Sequence, residues 1–175
     1  IAADRAVWNR LAAWDGYVPP PLVRLPGLAT ALGVADVMFK DEGGRFGLGS
    51  FKALGGAYAV SCLLAEKVGT TPEDLMSGAY QDAVETITVT SATDGNHGRS
   101  VAWGARTYGC PCVIYIHAEV SESRAKAMED LGAQVIRIAG NYDQSVRQCS
   151  EDAETHGRFV ISDIPYEGYR EVLKR

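Results

Sequence analysis

Lys52 stands in the stretch GSFKALGG (residues 49–56), an ammonium group set among small and apolar residues with glycines on both sides. A lysine near the start of a helix faces the positive end of the helix dipole, which disfavours its charge. An amine relieved of its proton is the nucleophile needed to condense with a carbonyl. The plainer alternative is a solvated surface lysine in a slightly poor place.

A second stretch, TDGNHG (93–98), follows a predicted strand and opens a predicted helix. Its glycines permit close backbone approach to a ligand, and the N–H groups of a helix start favour an anion. A βα loop with Asp and Asn as turn formers explains the same residues without a ligand. His97 reads more readily as a packing or hydrogen-bonding residue than as a base, since no partner is visible in the sequence. Asp94 and Asp163 each sit just past a strand, where most aspartates form turns or caps; their interest comes from sharing a sheet edge with Lys52. Two phosphate motifs fail. GLGSFK has Lys52 where a dinucleotide fingerprint needs its third glycine, and GRFGLGSFK separates Gly49 from Lys52, so it is not a P-loop.

The elements that must position these residues alternate. Residues 36–40 read as a strand, and a helix runs from near Ser50 to about Val68. Thr71-Pro72-Glu73 starts a short helix or loop, and residues 85–91 read as a buried strand. A helix over GRSVAWGARTYG, a strand CVIYIH, a helix capped by Ser121, a strand QVIRIA, a helix capped by Asn141 and a strand RFVIS complete the pattern. Such alternation predicts an α/β fold, a parallel twisted sheet with helices on both faces. Ligands collect outside the carboxyl ends of such strands. Loops 41–50, 92–98 and the turn after Ile161-Ser162 are expected at that edge. The proline-rich stretch YVPPPLVRLPGL (17–28) reads as an extended arm.

Composition limits the partners. A net charge of −5 argues against a nucleic-acid surface, and no apolar run is long enough to span a bilayer. Cys62, Cys110, Cys112 and Cys149 fit free thiols of a cytoplasmic protein better than a metal site, so no metal is expected. The chain begins at Ile1, without methionine, and is expected to be a piece of a longer protein.

In combination, SFKALGGAY resembles the lysine motif and TDGNHGRSVAWGAR the asparagine loop of fold type II pyridoxal-phosphate enzymes, the tryptophan-synthase-β type. Thr93-Asp94, in place of a serine-rich loop, resembles diaminopropionate ammonia-lyases, as do GNYDQSVRQCSEDAE and ISDIPYEGY. The resemblance covers most of the chain. It implies pyridoxal 5'-phosphate as cofactor, joined to Lys52, with Phe51 packing beside the ring and Asn96 bonding its 3-oxygen. It also implies α,β-elimination of 2,3-diaminopropionate to pyruvate and ammonia. Lys52 would take the α-proton on one face and Asp94 on the other, and Asp163 would assist or bind the substrate amine. Residues 36–156 would belong to the smaller domain, with 1–35 and 157–175 parts of a larger cofactor domain. The phosphate loop, the group facing the pyridine nitrogen and much of a homodimer interface would lie in a later half. A threonine or serine dehydratase and a non-catalytic α/β binding domain are the alternatives.

Overall fold

Residues 2–163 are described by the computed structural model, and they fall into two compact units that divide between Phe51 and Lys52. The first carries helix α1 (Ala2–Ala12), strand β1 (Leu22–Arg24), helix α2 (Pro26–Leu32) and strand β2 (Met38–Lys40). β1 and β2 pair antiparallel, Val23 opposite Phe39, with both strands exposed along their length. Arg45 is nonetheless buried, its Nε 2.7 Å from Glu42 Oε2 and its guanidinium over the Tyr17 ring. The arm expected over 17–28 is extended only in part. Pro26 opens α2 at a first-turn position, where its missing N–H costs nothing.

The second unit holds the parallel sheet. Its strands are β3 (Val89–Ala92), β4 (Cys112–Ile116), β5 (Gln134–Arg137) and β6 (Phe159–Val160), in spatial order β5-β4-β3-β6 and all parallel. Between them run α3 (Gly56–Val68), the short α4 (Pro72–Leu75) and α5 (Gln81–Val84), α6 (Asn96–Tyr108), α7 (Glu122–Glu129) and α8 (Tyr142–His156). α3, α6 and α8 each end on a glycine in the left-handed region, which stops the helix without a Cβ clash.

Strand alternation divides the core. Ile114 and Ile116 pack with Leu64, Val101 and Met128 on the face covered by α3, α6 and α7, while Val113 and Tyr115 pack with Cys149 of α8 on the other. Each fully buried Leu or Ile contributes roughly 1.5–3 kcal/mol. Helices thus cover both faces, as the α/β pattern predicts. The fit between α3 and α6 is close enough that a Cβ on Gly104 would stand 2.8 Å from Ala57 Cα.

Two expectations are corrected. The strand over 36–40 pairs with β1 rather than joining the parallel sheet, so loop 41–50 does not follow a strand of that sheet. The strand expected over 85–91 is displaced to Val89–Ala92, because Glu85 and Thr86 close the turn after α5, with Thr86 Oγ1 donating to Ala83 O. Among the described residues no helix is long and apolar enough to cross a membrane.

Candidate active site

Lys52 lies on a 3₁₀ turn (Phe51–Leu54) that precedes α3, rather than in the first turn of an α-helix. Its Nζ donates to Asp163 Oδ2 at 2.6 Å, and both side chains are about a third exposed (34% and 33%). The sequence points to an amine that something wants uncharged; here a carboxylate compensates the ammonium. Burial pushes the Asp163 carboxyl up, but the hydrogen bond from Lys52, then the charges of His97 and Lys52, outweigh it, and the group sits below its ordinary value.

The loop after β3 is fixed by Thr93, whose buried hydroxyl oxygen accepts from Gly95 N and Gly98 N, both at 3.1 Å. Those two N–H groups are therefore engaged within the loop, as the plain turn reading has it. Gly98 has a packing role: a Cβ there would stand 2.7 Å from Met128 Sδ and overlap the Thr93 methyl. This glycine lets α6 start directly against the sheet.

His97, 8% exposed, has its Nε2 2.9 Å from Ile161 O, and its Nδ1 lies 3.7 Å from Asp163 Oδ2. A carbonyl only accepts, so Nε2 carries the ring proton. Burial lowers His97 below its ordinary value, against the raising effects of Ile161 O and Asp163. The unfolded chain therefore takes up this proton at higher pH than the folded one. The stability contribution is full above about pH 6.5 and is lost as pH falls through the lower folded value. Urea unfolding at pH 7.5 and 5.5 is expected to show a larger loss for wild type than for His97→Gln. Equal losses would remove His97 as the titrating group.

A cleft of about 290 Å³ is lined by Lys52, Asp94, Asn96, Tyr142 and Asp163, with Thr93 and His97. Four of the residues marked by sequence, Lys52, Asp94, Asn96 and Asp163, thus meet in one place. Phe51, 58% exposed, adjoins Lys52 in sequence. Asp94 is exposed, with Oδ1 3.4 Å from His117 Nε2. Sequence reading missed Tyr142 and His117, which follow β5 and β4 at the same carboxyl edge as Asp94; the rule that ligands gather there applies to every βα loop. Burial, then the charges of Asp163 and Asp94, push the Tyr142 phenol up, so it enters the cleft as a neutral donor.

Residues 13–170 match the family described as pyridoxal-phosphate dependent enzyme. The chain belongs to that family. It is 43% identical over 158 residues to diaminopropionate ammonia-lyase of Escherichia coli K12, a match covering 90% of this chain and 40% of the relative. The crystal structure of the E. coli diaminopropionate ammonia lyase in apo form superposes with a TM-score of 0.92 at 39% identity, covering 99% of this chain and 47% of that one. The same enzyme in complex with D-serine gives 0.89 at 39% identity, covering 98% and 44%. The chain thus spans about 40% of the length of the curated relatives it matches. The fold type II architecture expected from the lysine and asparagine motifs is the architecture of these structures.

The residues present fit part of the family's cofactor. Lys52 offers a primary amine for an aldehyde, and Asn96 offers an amide at the start of α6 in the same cleft. Thr93 holds the Gly95 and Gly98 N–H groups, so neither is offered to a phosphate.

Proposed function

We propose that this chain is the lysine-bearing part of a pyridoxal-phosphate-dependent lyase that eliminates ammonia from 2,3-diaminopropionate, giving pyruvate and ammonia. One observation carries the reading: Lys52 shares its cleft with two carboxylates, Asp94 and Asp163. A substrate with a β-ammonium group needs an anionic neighbour that a β-hydroxyl does not. The similarity to diaminopropionate ammonia-lyases supports the same substrate.

When bound, the cofactor supplies an electron sink for negative charge at the substrate α-carbon. Lys52 would hold its aldehyde, Asn96 would donate to the ring oxygen and Phe51 would pack beside the ring. Asp163, 2.6 Å from Lys52 Nζ, would offer an anionic seat for the substrate's ammonium. Lys52 and Asp94 would take the α-proton from opposite faces, which admits both enantiomers. The phosphate and the ring nitrogen would be held by residues beyond these.

In the full protein, residues 36–156 would form the smaller domain, with 1–35 and 157–175 in a larger one; residues 164–175 lie outside the described residues. Exposed Leu22, Val23, Met38 and Phe39 in the first unit support a covering partner surface of that kind. A homodimer in the cytoplasm, without nucleic-acid partners, completes the proposal and rests on the resemblance and the net charge of −5.

The protein at its full encoded length, supplied with pyridoxal phosphate, is expected to convert 2,3-diaminopropionate to pyruvate with twice as much ammonia. Faster turnover of L-threonine or serine would replace this reading with a dehydratase. No cofactor absorbance and no turnover would leave a non-catalytic binding domain.

A further inference from the structure

We propose that His117 is a positioning residue for Asp94, an inference that rests on the reading of Asp94 as a base. Asp94 alone is poorly held, its side chain 62% exposed. A carboxylate free to rotate in solvent is a weak base toward a fixed proton, because productive geometry must be found afresh each time.

His117 supplies the missing constraint. Its ring is only 16% exposed, and Nε2 stands 3.4 Å from Asp94 Oδ1. The Glu119 backbone N–H donates to Nδ1 at 3.3 Å. With Nδ1 accepting, the neutral ring carries its proton on Nε2, facing the carboxylate. This contact engages Oδ1 and leaves Oδ2 for a substrate proton.

The loop bearing His117 is itself tied down. Arg137 Nη1 donates to the carbonyls of His117 (3.4 Å), Ala118 (3.1 Å) and Val120 (2.6 Å), while its Nη2 meets Glu122 Oε1 at 2.6 Å. From the other side, Arg124 Nη1 reaches Asp94 O at 3.4 Å. Backbone and carboxylate of Asp94 are therefore held by separate elements, α7 and the loop after β4.

The test uses the protein at its full encoded length. His117→Ala is expected to lower turnover of D-2,3-diaminopropionate by about 3- to 10-fold, the worth of one polar contact in the transition state. Turnover of the L-isomer should fall less, and the absorbance of the bound cofactor should not change. His117→Gln, whose amide N–H can replace Nε2–H, should recover most of the loss. Nitrogen-15 spectra of the cofactor-free protein should show His117 protonated on Nε2, with a shift that responds to Asp94→Asn. Equal losses on both isomers, no loss on either, or a ring signal indifferent to Asp94→Asn would overturn the proposal. The ring signal needs neither cofactor nor turnover, so it separates failure here from failure of the elimination reading.

Discussion

Lys52→Ala is expected to abolish the visible absorbance of bound cofactor and to reduce turnover of both enantiomers by at least about 10²–10⁴-fold, the range for loss of a general base. The whole of this effect is routed through one nitrogen. Alanine removes the amine that would hold the aldehyde and the base for one face together. It also leaves Asp163 without the cation 2.6 Å away. Burial then acts on that carboxyl with less to oppose it, so its pKa should rise from its depressed value. Absorbance spectra, borohydride labelling and a carboxyl titration by NMR check the three consequences. Stoichiometric labelling of another lysine in the variant would sink the assignment of Lys52.

The sheet was legible because its strands are β-branched runs separated by amphipathic stretches. The Asn141 cap was legible too: its side chain accepts from Gln144 N while Gln144 returns a bond to the cap backbone. Ser121 has the extended backbone of a cap, but its hydroxyl lies near Ser123 Oγ and makes no capping bond. Local sequence marks where a helix starts better than which oxygen closes it. Strand 36–40 was assigned to the wrong sheet because periodicity identifies a strand and says nothing of its partner; β1 supplies that partner from an arm too rich in proline to read as a strand.

The cleft was partly legible for a topological reason. Residues just past parallel strands share one edge, so Asp94, Asn96 and Asp163 were bound to gather wherever the sheet formed. Lys52 joins them from a turn that precedes the sheet; the sequence placed it at that edge through strand 36–40, which pairs with β1 instead. His117 looked like the end of an apolar strand and Tyr142 like the first residue of a helix, and neither carries a local mark of function. The sheet-edge rule covers their loops as well, but which of them meets Asp94 depends on the order that sets β4 between β3 and β5.

Asp94→Asn is the sharper test of the chemistry, with an expected fall of about 10²–10⁴-fold in turnover of D-2,3-diaminopropionate and a much smaller one for the L-isomer. Asparagine keeps the shape of the side chain and its ability to accept from His117 Nε2 at Oδ1, but cannot take up a proton. The substitution therefore removes basicity while leaving the loop held through Thr93, Arg124 and the Asp94 carbonyl. If Lys52 serves one face of the α-carbon and Asp94 the other, only one enantiomer should lose its base. Turnover numbers for both isomers on wild type and variant decide the matter, with the cofactor absorbance as a control that the Lys52 side is intact. Equal losses would make Asp94 a seat for the substrate's ammonium, since both isomers carry one, and would transfer the search for the second base to Tyr142 or Asp163 in the same cleft. No loss on either isomer would return Asp94 to an ordinary turn aspartate.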